Sequence, residues 1–169
     1  MLYKALVRSH LEYAGTVWSP YKIKYITALE QVWKRATKLV SKIKHLPYKD
    51  RLSKLELPTL VFRRLHGDMI EVFKILSGIY DQNTVPSMSL TLPATTTGHN
   101  KKLFKPFCNK NVRRKYFTVR VIETWNSLPH EFVNANSVNA FKKRLDKYWA
   151  NEELHYNYHS TLNTGHWKA

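Results

Sequence analysis

Between Lys22 and His45 the chain runs without a proline or a glycine, and its apolar residues recur at helical spacing. At about 100° per residue, Ile26, Leu29, Trp33, Ala36, Val40 and Ile43 fall within roughly one third of the circumference. Ser19-Pro20 stops whatever precedes this segment. The pattern predicts a long amphipathic helix from about Lys22 to His45, and no strand can satisfy it, because alternation would put half of these residues on the wrong face. Lys24, Lys34, Arg35, Lys38 and Lys42 take the opposite side, with Glu30 as the one acidic residue inside the segment. A solvated helix gains from mixed signs at i,i+4, so a stripe of one sign points to an anionic partner. The plainer alternative is a lysine-rich face kept soluble by water.

The same periodicity recurs along the chain. A helix is expected from about Tyr3 to Ala14, with Leu6, Leu11 and Ala14 inward. Pro47 and Pro58 bracket a short helical turn around Asp50 to Leu55. Thr59 is placed to cap a third long helix that ends near Ser77, with Gly78 as the stop. Leu65, Met69, Val72, Phe73 and Leu76 share its inner face, while Asp68 and Glu71 are expected outward, as surface ion pairs with Arg64 and Lys74. A helix from about Tyr116 to Ser127 carries Val121, Ile122 and Trp125 inward and ends at Leu128-Pro129. The last begins at Ser137, with Val138, Phe141, Leu145, Tyr148 and Trp149 in one stripe and Lys142, Lys143, Arg144 and Lys147 around it. The fold class expected is mainly α: a small helical domain of about six helices with one β-hairpin, at about Leu103 to Val112, where Asn109-Lys110-Asn111 signals a turn. Four parts are expected: a helical part at 1–80, a Thr/Pro/Ser loop or linker at 81–100, a basic hairpin with helices at 101–150, and a flexible tail at 151–169.

Charge is distributed unevenly. The chain of 169 residues carries 28 Lys and Arg against 12 Asp and Glu, a formal net charge of +16. Residues 1–50 hold ten basic and three acidic residues and residues 101–150 hold twelve and three, whereas 51–100 are nearly balanced at five and four. Self-repulsion on this scale is relieved by a polyanion, and nucleic acid is the usual one. The densest run, KKLFKPFCNKNVRRKYFTVR, places Lys101, Lys102, Lys105, Lys110, Arg113, Arg114, Lys115 and Arg120 among Phe104, Phe107, Tyr116 and Phe117. Cations neutralise phosphates and release counterions, and flat rings stack on unpaired bases. Alternatively, at least half of these rings belong to the core and only the charges meet a ligand. The candidate nucleic-acid-binding residues are therefore these eight with Lys34, Arg35, Lys38 and Lys42.

Several classes of chemistry are not encoded. One cysteine, Cys108, excludes an internal disulfide and a CxxC pair, and no histidine base lies beside it. There is no Gly-rich phosphate loop, no GxSxG or HExxH motif, and no aspartate pair for a two-metal site. His155 and His159 are spaced i,i+4 but lack a third ligand. No cofactor or metal is expected, and neither is an enzyme. The absence of a signal-like or membrane-spanning apolar stretch points to an intracellular place, nuclear or cytoplasmic, with no membrane partner.

Five segments together resemble a known family. LVRSHLEYAGTVWSPY, LEQVWKRATKLVSKI, LPYKDRLSKLELPTLVFRRLHGDMIEVFKILSG, GHNKKLFKP and VRVIETWNSLPHEFVNANSVNAFKKRLDKYW are similar, in the same order, to the region after the catalytic palm in LINE-type, non-LTR retrotransposon reverse transcriptases, jockey-like elements among them. The resemblance covers about Leu6 to Trp149. It implies part of the thumb and the segment after it, holding template RNA and complementary DNA, with the palm and fingers of the parent polyprotein as a further partner. The family's Tyr-x-Asp-Asp box is not in this sequence, so polymerase activity does not carry over residue by residue. Such elements are commonly truncated at the 5′ end, and a chain starting at an internal methionine fits a relic of that kind. Three functions stay open from sequence: a nucleic-acid-binding part of a retrotransposon polymerase, a helical module docking on an acidic partner, and a translated remnant without function.

Overall fold

The computed structural model describes residues 10–81, 83–91 and 99–162, and these are mainly α-helical with no strand. The α-helical segments are α1 (Ile23–Lys38), α2 (Tyr48–Leu55), α3 (Leu60–Leu76), α4 (Asn111–Arg114), α5 (Phe117–Asn126), α6 (His130–Val133) and α7 (Val138–Tyr148). Short 3-10 turns lie at Ser41–Ile43 and Glu153–His155. The helix expected over Tyr3 to Ala14 falls mostly outside the described residues. Its last turn, at 10–12, is helical and is closed by Ala14 in the left-handed region.

The chain forms two compact units. One comprises the described residues up to Leu65 with Asn151–Leu162, the other His66–Ala150. The boundary thus falls inside α3 rather than at the 81–100 segment. In the first unit Trp33, Leu52, Leu57 and Leu60 form the core, flanked by Leu11, Leu29, Tyr48, Leu55 and Tyr156. The tail expected beyond residue 150 is folded here as far as Leu162. Leu154 is buried, Thr59 donates its hydroxyl to the Leu154 carbonyl (2.8 Å) and its N–H to that of His155 (2.9 Å), and the His155 ring stacks on Phe62 at 4.5 Å.

Local signals set most helix ends. Thr59 Oγ1 accepts the Phe62 N–H (3.2 Å), capping α3 as expected. At the other end Gly78 takes φ +67°, and Ile79 N donates to the Lys74 carbonyl, a Schellman closure that a β-carbon would strain. Ser137 Oγ caps α7 by accepting from Ala140 N.

α1 stops seven residues short of the expected His45. The guanidinium of buried Arg51 donates to the Leu46 carbonyl (2.6 Å), to that of Lys34 (3.4 Å) and to Thr37 Oγ1 (3.1 Å), so the chain turns away after Lys38. The buried face of α1 is also rotated from the expected stripe. It centres on Glu30, Trp33 and Thr37, while Val40 is exposed. Glu30 is only 2% exposed; its carboxylate accepts from the Tyr48 hydroxyl (2.7 Å) and the Leu60 N–H (3.2 Å). Burial holds the Glu30 carboxyl above its ordinary value, against the pull of those hydrogen bonds and of Arg64.

The second unit packs α3 from His66 onward with α5, α6 and α7. Phe73 stacks on Phe141 (4.5 Å), Trp125 lies beside Phe141 (6.0 Å), and Met69, Val72, Ile122 and Leu145 are buried on the same helices. The hairpin expected over Leu103 to Val112 is not formed. Leu103 instead makes one antiparallel bridge with Leu90, and Asn111–Arg114 coils into α4. The physical reason is that Asn111 opens a helical turn here, leaving Leu103 to pair with 89–91. In the segment expected as a linker, residue 82 and residues 92–98 lie outside the described residues. Its flank at 89–91 is tied down by Thr91 N to Lys102 O and Phe104 N to Ser89 O, both 2.8 Å.

Candidate nucleic-acid interface

Placement of the basic cluster begins at the C-terminal end of α5. The Trp125 indole N–H donates to the Lys101 carbonyl (2.8 Å). Asn126 clasps Leu103 as a strand would, its Oδ1 accepting from Leu103 N (2.8 Å) and its Nδ2 donating to Leu103 O (2.9 Å). His99 Nε2 lies 3.1 Å from the Trp125 carbonyl and so carries the ring proton, and Nδ1 is buried without a partner among the described residues. Burial keeps this imidazole neutral by holding its pKa below the ordinary value, with Lys102, His130 and Lys101 adding to the effect. Leu103 is buried, and the chain leaves the core at Phe104.

Beyond that anchor the rings face solvent. Phe104 is 57% exposed, Phe107 88% and Tyr116 59%; Phe117 alone of the four is half-buried. The expectation that at least half of these rings are core residues is therefore overturned. The backbone explains it: with no hairpin there is no sheet face to bury them, and Leu103, Cys108 and Val119 take the inward positions instead. Around the rings, Lys110, Arg113, Arg114 and Lys115 are exposed, and among the described residues none of the four is in an ion pair. Arg114 Nε donates to the Cys108 carbonyl (3.0 Å), which anchors the guanidinium of an otherwise exposed side chain.

Not every candidate is available. Arg120 binds Asp68 through Nε–Oδ2 and Nη2–Oδ1, both 2.9 Å, in a two-pronged pair whose carboxylate is 3% exposed. Asp68, expected outward beside Arg64, is thus inside, because α5 delivers a guanidinium to it. Glu71 does pair with Lys74, at 3.3 Å. Lys105 pairs with Glu123 of α5. Lys101 and Lys102 are half-buried, their carbonyls engaged by Trp125 and Thr91.

In the first unit, Lys34, Arg35 and Lys38 project from the outer face of α1 and are exposed. Lys42 is exposed too, but it belongs to the 3-10 turn and not to the helix face. The Lys34 ammonium lies over the Tyr48 ring, 5.9 Å from its centroid.

Sequence reasoning passed over a second cleft of about 720 Å³, lined by Glu131, Phe132, Asn134, Arg144, Lys147 and Tyr148. Tyr148 looked like part of the apolar stripe of α7, yet it sits at the exposed edge of that stripe, 5.0 Å from Phe132. The run Lys142-Lys143-Arg144 and Lys147 beside an aromatic was the available signal.

Among the described residues no three His, Cys, Asp or Glu side chains gather to hold a metal, and no helix is long and apolar enough to cross a membrane. Cys108 is buried and unbonded to another cysteine. Comparison of the chain with protein-family models, with curated proteins and with solved structures gives no match.

Proposed function

We propose that this chain binds nucleic acid, holding RNA and DNA by their phosphates and by base stacking, with little sequence preference and without a catalytic step of its own. The observation that carries the reading is the exposure of Phe104, Phe107 and Tyr116 near Lys110, Arg113, Arg114 and Lys115, which have no acidic partner among the described residues. Solvent-facing rings among cations suit bases that have left a duplex, which stack on them while the cations meet the phosphates. The ordered resemblance of five segments to the post-palm region of LINE-type reverse transcriptases supports the same reading. On that reading the natural ligands are template RNA and nascent DNA, and the partner is the palm and fingers of a parent polymerase.

Phosphate contacts make the affinity salt-dependent. If Lys110, Arg113, Arg114 and Lys115 each meet one phosphate of a single strand, log K falls with log salt at a slope of about −3, or about fiftyfold for a fourfold rise in salt. Fluorescence anisotropy with labelled single-stranded RNA and an RNA–DNA hybrid measures this. Phe104→Ala and Tyr116→Ala should each weaken single-strand binding about fivefold or more. Absence of binding at low salt, or binding indifferent to salt, overturns the reading.

A further inference from the structure

A cleft of about 600 Å³ opens between the segment Lys105–Cys108 and the helices α4 and α5, within the range of small-molecule sites. Its walls combine two chemistries. Pro106, Val119 and the ring of Phe107 supply apolar surface, and Arg114 and Lys115 supply charge. The other two cations on its wall, Arg120 and Lys105, are already neutralised by Asp68 and Glu123. Among the described residues the unmatched charge on this wall is therefore two, carried by adjacent residues, and the guanidinium of Arg114 is held by the Cys108 carbonyl.

An anchored guanidinium and a neighbouring ammonium beside an exposed ring suit one ligand class better than a continuous strand. A phosphodiester inside a strand carries one negative charge, whereas a terminal phosphomonoester carries about −1.5 to −2 at neutral pH. The terminal nitrogens of an anchored arginine match two phosphate oxygens at once, and the neighbouring ammonium takes the third. The attached base then covers Phe107, the most exposed of the three rings.

We infer that this cleft is a site for a nucleoside 5′-monophosphate unit, the phosphorylated 5′ end of a strand, with the phosphate on Arg114 and Lys115 and the base on Phe107. The inference rests on the nucleic-acid-binding reading and adds recognition of an end to it.

The test compares one short single-stranded RNA with a 5′-phosphate and with a 5′-hydroxyl, labelled at the 3′ end, by anisotropy with the full chain. The phosphorylated strand should bind about tenfold more tightly, and the preference should shrink below about pH 6, where the monoester loses its second charge. Arg114→Gln should reduce the ratio to below about twofold, and Lys115→Gln, which breaks no hydrogen bond to the backbone, should reduce it independently. Lys54→Gln, at an exposed position in the other unit, should leave the ratio intact. Competition by free guanosine and adenosine 5′-monophosphate separates a site for the mononucleotide from one that needs the strand as well. Equal binding of the two strands overturns the end site while leaving the broader reading standing. Failure of both strands to bind at low salt overturns both.

Discussion

Removing Arg120 tests whether this cation is part of the fold or part of the interface. Its guanidinium covers both oxygens of Asp68 at 2.9 Å, and the Asp68 side chain is almost wholly enclosed. Arg120→Met removes the guanidinium from that buried carboxyl, a loss that in buried pairs costs about 3 to 5 kcal/mol. The Arg120 side chain retains 14% exposure, so water can partly replace it and the lower end, about 3 kcal/mol, is expected. That is a large share of a domain's usual 5 to about 15 kcal/mol. Asp68→Leu combined with Arg120→Met exchanges the pair for apolar contact and should recover most of the loss, giving a coupling energy of about 2 kcal/mol in a double-mutant cycle. Urea unfolding followed by tryptophan fluorescence measures all four proteins. At temperatures where Arg120→Met stays folded, its affinity for single-stranded RNA should equal that of the parent, whereas Arg113→Gln should bind more weakly. A loss of under about 1 kcal/mol together with weakened RNA binding would refute the reasoning and return Arg120 to the interface.

Three further outcomes follow from the same structure. Asn126→Ala removes both hydrogen bonds to Leu103 and should cost about 2 kcal/mol, with faster amide exchange at 101–105; exchange unchanged there would mean the clasp does not hold the segment. Glu30 has a raised folded-state pKa, so the folded state binds its proton more tightly and the associated stability is present at low pH and lost as pH rises through the folded value. The stability of the parent relative to Glu30→Gln should therefore fall as pH rises above about 4.5, and a rise would contradict the burial argument. His99 runs the other way: its folded pKa is depressed, so its stability is present above about pH 6.5 and lost on acidification, a loss that His99→Gln should abolish in pH-dependent urea titrations.

What could be read locally was read from local causes. The mainly helical class follows from apolar spacing that only a helix satisfies, and the caps at Thr59, Gly78 and Ser137 follow from side chains or backbone angles within a few residues of the helix end. The buried positions Trp33, Met69, Phe73, Trp125, Phe141 and Leu145 lie on faces that the 3.6-residue period defines without knowledge of the partner helix. The concentration of charge near Lys101 to Arg120 is likewise a property of the chain itself.

Pairing across long stretches of chain was decided only in three dimensions. Glu30 meets Leu60 thirty residues away, Arg120 meets Asp68 across 52, and Thr59 reaches Leu154 across 95. In sequence these are a charge in a basic stripe, a cation in a basic run, and a residue in an apparent tail. Tertiary contact turned each into an internal bond, because a buried polar group must find a partner wherever the packing brings one. The rings of the basic run show the converse: an aromatic's burial depends on whether a face forms to cover it, and around Phe104, Phe107 and Tyr116 none does. Apolar spacing thus determined that the chain is helical, and composition that it is strongly cationic. The tertiary structure decided which cations are consumed by the fold, and left Lys110, Arg113, Arg114 and Lys115 outside it.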